Sequence, residues 1–313
     1  MSHVISQIGL GSIGRVYLVN LVTEFNDVHV HDTDSSKRSE VESLDAVFHD
    51  GVASAVTDAD FILLALPDPV ASRSVFAARG LLLTSAKPGA VILDLSTIDP
   101  GTARQNYQAA HDTSLHYVEA PVSGGEPMSA GVDGAKNGNV TFMAGSDEVS
   151  FKKALPLMYV LGQHPLLLGP AGTGSIVKLI SNYISGLHNL VAAEAFALGK
   201  AAGIDLETML TTFAHTDANS YWLENYFAPR IRAQNYAPGF FVDLQHKDLR
   251  LCEDLARDLK VSMPLNNFGL SIYRMLQAQG RGGNDLVDAV NLACELSAIA
   301  ASQLSSGSAT GHL

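Results

Sequence analysis

Lys178 and Asn182 stand four positions apart in GTGSIVKLISNYI (172–184), a run that is otherwise mostly small or apolar. At helical spacing they share one face. An amine in apolar surroundings loses solvation of its charged form, so its pKa falls towards neutrality and it can take a hydroxyl proton or return one. An amide one turn further on can hold that hydroxyl, or the amine, in line. The same residues admit a second reading, in which Lys178 snorkels to water from a surface helix and Asn182 is a tolerated polar neighbour. Earlier in the chain, PVSGG (121–125) sets Ser123 beside Gly124 and Gly125. Unobstructed backbone N–H groups next to a hydroxyl make a small anion nest suited to a carboxylate, or else an ordinary loop turn.

A second constellation lies at the N-terminus. Gly9-Leu10-Gly11-Ser12-Ile13-Gly14 fits G-x-G-x-x-G, directly after a strand-like run and at the start of a helical one. In that context the first glycine makes a tight turn and the second lets a pyrophosphate approach the backbone. The third lets helix and strand pack closely, with the helix N–H groups facing the phosphates. Asp32 ends the next strand, 23 residues after Gly9, where a carboxylate accepts hydrogen bonds from an adenosine ribose. This favours NAD, and Lys37 and Arg38 close by keep NADP possible. The bland alternative is a glycine turn that binds no nucleotide. His29 and His31 share a strand face and could chelate a metal, but no third ligand is evident, so no metal is assigned. No G-x-S-x-G elbow, P-loop or C-x-x-C pair occurs.

Elements that could position these residues follow from periodicity. Up to about residue 170, short apolar runs alternate with helix-like stretches: Val4–Ile8, Val28–His31, Phe61–Leu66, Val91–Leu95, Tyr117–Ala120, Val140–Ala144 and Leu166–Leu168. Runs such as FILLAL suit parallel strands covered on both faces, and the intervening helices make β-α-β units. From about Ser175 to Ala202 the pattern is helical without proline and stops at Gly203, a helix roughly 40 Å long. LETMLTTF, LRLCEDLARDL and DAVNLACELSAIAASQL then read as helices. The expected fold is α/β: a Rossmann-type parallel-sheet domain over 1–170, a long connecting helix, and an all-α domain within 171–302. Residues 303–313, small and polar, form a loose tail.

The 313 residues carry a formal net charge of −12 with only 20 Lys and Arg, which argues against a nucleic-acid partner and an anionic membrane surface. No apolar run reaches a membrane span of roughly 20 residues. The opening MSHVISQIGLGSIG has no basic region or cleavage site and is not read as a signal peptide. Two unpaired-looking cysteines, Cys252 and Cys294, suit a reducing cytoplasm.

Five stretches occur in one order: Gly9–Gly14, Asp94-Leu95-Ser96-Thr97, EAPVSGG (119–125), GTGSIVKLISNYI and Gln245-His246-Lys247-Asp248-Leu249. Together they resemble the β-hydroxyacid dehydrogenase family, which includes 3-hydroxyisobutyrate dehydrogenase and tartronate semialdehyde reductase, over about residues 4–300. The resemblance implies that Thr97 lies by the nicotinamide, Ser96 at the substrate edge, and Leu66-Pro67 along the cofactor groove. It implies that Ser123-Gly124-Gly125 hold the substrate carboxylate, that Lys178 is catalytic with Asn182 its partner, and that Lys247 reaches the cofactor. On its own, Lys247-Asp248 reads as an exposed ion pair.

The implied activity is NAD(P)-dependent interconversion of a short β-hydroxy acid and its semialdehyde or keto acid. Removing a hydride from the alcohol carbon requires removing the hydroxyl proton, the task given to Lys178. The alternatives are a reductase of a sulfonate-aldehyde or imine, and a cofactor-binding interaction module without catalysis. The resemblance also implies a homodimer or homotetramer. Two features depart from the family pattern. The interval 126–138, EPMSAGVDGAKNG, has thirteen residues where relatives have about seven, and is expected to be mobile and to shape or cover the substrate site. Tyr17 stands where relatives tend to have a smaller or more flexible apolar residue, a difference that packing alone can explain. Asn219, Ser220 and Trp222 lie where relatives place substrate-selective side chains.

Overall fold

The computed structural model describes residues 3–77, 81–124, 132–237 and 239–299. The chain divides into two compact units, residues 1–180 and 181–313.

The first unit is built on a nine-stranded sheet: β1 (Val4–Ile8), β2 (Asp27–His31), β3 (Val47–His49), β4 (Phe61–Leu64), β5 (Val91–Asp94), β6 (His116–Glu119), β7 (Val122–Gly124), β8 (Val140–Gly145) and β9 (His164–Gly169). The order is 3-2-1-4-5-6-8-7, with β9 also on β8. Strands β1 to β6 pair in parallel. Strand β8 runs antiparallel to β6 and β7 and parallel to β9. Strands β3 and β7 are additional to those expected. VFH and VSG are three residues each, too short to show a period, and pairing with neighbours alone makes them strands.

Both sheet faces are covered, which explains the unbroken apolar runs. Along β4, Phe61 and Leu63 join the core with Tyr17, Leu18 and Leu21 of the first helix (Ser12–Glu24). Ile62 and Leu64 face the opposite core with Ile92 and Tyr117. Alternate residues of one strand thus serve two helical layers. Tyr17 is packing: it is fully buried, and burial drives its hydroxyl far above the ordinary tyrosine range.

The order reverses at β1, with β2 on one side and β4 on the other. In such sheets the crevice outside the carboxyl ends at the switch point is where a dinucleotide binds. Gly9, Asp32, Leu66 and Thr97 all follow the carboxyl ends of β1, β2, β4 and β5.

The second unit is built of helices, with one isolated bridge between Phe241 and Asp285 among the described residues. Asp285 is fully buried and accepts from Tyr226 Oη (2.6 Å), Gly239 N (2.7 Å) and Phe240 N (3.1 Å), locking three segments. The long helix runs Thr173–Ala201. The proposed tail and the end of the last helical run lie outside the described residues. Among the described residues no helix is long and apolar enough to cross a membrane.

Candidate active site

Each glycine of the first motif has its own geometry. Gly9 has φ +99°, and a Cβ there would strike the Ala65 carbonyl of the neighbouring crossover. A Cβ on Gly14 would strike the Gly9 carbonyl. Beneath this turn the buried side chain of Gln7 donates to Gly14 O (2.6 Å) and Gly9 O (3.1 Å). Gly11 differs: its φ is −66°, and a Cβ there meets nothing within 4 Å. Protein packing thus requires glycine at 9 and 14, while the open space over Gly11 suits an approaching ligand. Gly11 also caps the first helix without a side-chain hydrogen bond, and Ser12 and Ile13 open its first turn. The first amides of a helix have no acceptor within it.

Asp32 stands at the end of β2, beside the glycine turn. Its Oδ2 accepts from Leu10 N (2.7 Å), tying the acid to the glycine turn, and Oδ1 accepts from Asp34 N (2.8 Å). Lys37 Nζ lies 3.0 Å from Oδ1. Burial pushes this carboxyl up, but the two amides and the Lys37 ammonium outweigh it and hold it below its ordinary value. Arg38 is engaged elsewhere, paired with Asp50 (2.5 Å) and stacked 4.6 Å over the Phe48 ring.

At the ends of β4 and β5, Ser96 is 3% exposed and its hydroxyl accepts from Leu66 N (2.9 Å). Ser96 thereby joins the Leu66-Pro67 turn to the Ser96-Thr97 turn. Asp94 fixes this turn from below, accepting from Ser96 N (3.0 Å) and Tyr117 Oη (2.9 Å). Burial raises the Asp94 carboxyl despite those donors. Thr97 is half-buried and Pro67 exposed.

Ser123 and Gly124 lie in β7, half-buried and paired with Thr141 and Val140. Gly125 lies outside the described residues, as does 126–131 of the long interval. Its remainder differs from the expected mobile segment: Val132–Lys136 form a helix, and buried Ala135 joins the core under the first helix. Asn20 Nδ2 of that helix donates to Ala135 O (3.1 Å).

The start of the long helix is held from outside. Buried Glu119, at the end of β6, accepts from Gly172 N, Gly174 N (3.0 Å) and Ser175 Oγ. Lys178 follows one turn later and is 8% exposed. One further turn along, Asn182 is 6% exposed.

Within the second unit, Asn182 Nδ2 donates to Asp248 Oδ2 (2.6 Å), and Gln245 Nε2 donates to Asn182 O (2.9 Å). Lys247 Nζ lies 3.1 Å from Asp248 Oδ1, and Asp248 is 1% exposed. The pair read from sequence as an exposed ion pair thus has a buried acid and a half-buried lysine. Trp222 stacks on Tyr226 at 4.2 Å, Asn219 donates to Glu224 (3.1 Å), and Ser220 Oγ accepts from Leu223 N (3.1 Å).

His29 Nδ1 is 2.7 Å from His49 Nε2, and His29 Nε2 is 2.9 Å from Asp27. His29 and His31 thus make hydrogen bonds within the sheet. Among the described residues no cluster of three or more His, Cys, Asp or Glu could hold a metal.

A family profile described as the NAD binding domain of 6-phosphogluconate dehydrogenase matches residues 4–169. Another, described as NAD-binding of NADP-dependent 3-hydroxyisobutyrate dehydrogenase, matches 172–293. The chain belongs to the β-hydroxyacid dehydrogenase family. This dehydrogenase is 30% identical to 2-(hydroxymethyl)glutarate dehydrogenase of Eubacterium barkeri, over 89% of this chain and 91% of that one. It is 31% identical to the NAD-dependent L-serine dehydrogenase of Pseudomonas aeruginosa, over 90% and 94%. A crystal structure of 3-hydroxyisobutyrate dehydrogenase from Salmonella typhimurium superposes with TM-score 0.80 at 26% identity, covering 93% of this chain and 100% of that one. The protein is an NAD(P)-dependent oxidoreductase acting on the CH–OH group of small hydroxy acids. The imine, sulfonate-aldehyde and non-catalytic alternatives are not favoured.

Three residues of this dehydrogenase matter to the site's geometry and are given no role from sequence: Gln7 under the glycine turn, Glu119 at the helix start and Asp248 behind Asn182. Glu119 and Asp248 sit inside the quoted family stretches; for Glu119 the available signal is an acid closing the run before PVSGG, and for Asp248 its place beside Lys247.

Proposed function

We propose that the protein oxidises the β-hydroxyl of a short hydroxy acid to a semialdehyde or keto acid, and reduces it in reverse, with Lys178 as the general acid/base. The observation that carries this reading is the burial of two polar side chains, Lys178 and Asn182, one turn apart on one helix. A buried amine and amide are costly unless they serve polar partners, and a surface lysine would not be so enclosed.

When bound, the nicotinamide cofactor accepts or returns the hydride. Gly9, Leu10, Gly11, Ser12, Ile13 and Gly14 hold its pyrophosphate, Asp32 its ribose, and Leu66, Pro67 and Thr97 line its groove. Lys178 takes the proton of the substrate hydroxyl in oxidation and donates it to the carbonyl oxygen in reduction. Asn182, its amide turned by Asp248, orients that hydroxyl. Ser123, Gly124 and Gly125 hold the carboxylate, and Ser96 supports the substrate edge through the turn it ties. For Lys247, Asn219 and Trp222 the reading rests on their place in the family pattern.

Lys178→Ala is expected to lose several orders of magnitude in turnover while NAD affinity barely changes. Near-normal turnover in that variant would overturn the assignment.

The proposal extends to a cytoplasmic homodimer or homotetramer. Both cysteines are free and buried. Ile184, Val191 and Leu198 stand exposed at seven-residue spacing along the long helix, an apolar seam for self-association. Sedimentation mass measures it.

A further inference from the structure

Glu119 is a buried acid to which the proposed mechanism gives no task. It is 1% exposed, and its carboxyl group meets Gly172 N, Gly174 N and Ser175 Oγ, residues 53 to 56 positions later in the chain. The first amides of a helix have no partner within the helix and are normally capped by a flanking side chain. Here an acceptor at the end of a sheet strand does that work, so the helix start is fixed to the sheet.

Close approach is built into the neighbouring backbone. Gly172 takes φ +95°, which few side-chain-bearing residues adopt. A Cβ on Gly174 would strike the Met143 carbonyl of β8, and one on Gly145 would strike Glu119 Oε1. Three glycines thus leave room for one carboxyl group and the first helical turn.

What this junction connects is informative. Four residues after Glu119 comes Ser123, the first residue of the proposed carboxylate cradle. Three residues after Ser175 comes Lys178, one helical turn on. We infer that Glu119 is a positioning residue for the reaction, its carboxyl group setting where Lys178 stands relative to Ser123 and Gly124. The inference rests on the reading of Lys178 as the acid/base. A lysine displaced by about 1 Å from its proton-transfer geometry costs on the order of 100-fold in rate.

The side-chain chemistry separates positioning from charge. In Glu119→Gln, Oε1 can still accept both amides, and Nε2 can donate to Ser175 Oγ, since a hydroxyl accepts as well as donates. Glu119→Ala leaves all three donors without an acceptor.

The test measures turnover, KM for 3-hydroxyisobutyrate and L-serine, NAD affinity and thermal midpoint for Glu119→Gln, Glu119→Ala, Ser175→Ala and Lys178→Ala, on the full chain. Assays run well below each midpoint. Expected are turnover within about threefold of the parent for Glu119→Gln and a loss on the order of 100-fold for Glu119→Ala, with NAD affinity within about twofold in both. Ser175→Ala, which removes one contact, loses about tenfold and covers the case in which Glu119→Ala does not fold. Full turnover in folded Glu119→Ala, or in Ser175→Ala, overturns the inference while an inactive Lys178→Ala leaves the acid/base reading standing. An active Lys178→Ala overturns both.

Discussion

The ammonium of Lys37 sits 3.0 Å from Asp32 Oδ1, so the acid at the end of β2 carries its own counterion. A lone carboxylate there repels a 2′-phosphate, and a paired one repels it less. Arg38, the other nearby cation, is committed to Asp50 and Phe48. Lys37→Ala should therefore weaken NADP binding about tenfold while NAD binding changes less than about threefold. Parallel cofactor titrations read this. Equal losses for both cofactors would show that Lys37 does not discriminate between them.

Gly11 and Gly14 should separate ligand binding from stability. In Gly14→Ala the new methyl group meets the Gly9 carbonyl, and a loss of about 1–3 kcal/mol in stability is expected. In Gly11→Ala it enters open space at an ordinary φ, so stability should stay within about 1 kcal/mol. NAD affinity should nonetheless fall tenfold or more, about 1.4 kcal/mol. Wild-type affinity in Gly11→Ala would remove the pyrophosphate from that space.

Asp248 turns the Asn182 amide through a 2.6 Å hydrogen bond. Asp248→Asn keeps an oxygen that can accept it, whereas Asp248→Ala frees the amide. Turnover should stay within about threefold in the first and drop about tenfold in the second, measured by steady-state kinetics on folded protein. A fully active Asp248→Ala would leave Asn182 without an orienting role for Asp248.

Glu119 should make stability depend on pH. Burial pushes its carboxyl up to about 7, from an ordinary 4.5, against the opposing pull of Ser175, Gly172 and Gly174. The folded state thus holds the proton more tightly than the unfolded chain. Its stabilising contribution is complete below the unfolded pKa and is lost as pH rises through about 7. Between pH 5 and 8 the parent should lose up to about 3 kcal/mol relative to Glu119→Gln, which has no such proton. Urea unfolding at the two pH values measures it, and identical pH slopes in the two proteins would contradict it.

The sequence by itself determined whatever depends on local spacing. Glycines at 9, 11 and 14 between a strand and a helix, the unbroken apolar run of β4 and the four-residue step from Lys178 to Asn182 are periodic, and periods are properties of neighbouring residues. Five such stretches in order were enough to place the family. Only the tertiary structure decided the partners: Glu119 on a helix start 53 residues away, Asp248 behind Asn182, 66 residues away, and β3 and β7 as strands. It also divided the three glycines, giving 9 and 14 to packing and leaving 11 open. A hydrogen bond across the fold has no period along the chain. It exists because the sheet order and the helix that crosses back bring two distant groups within 3 Å, in a place where neither has water as an alternative partner.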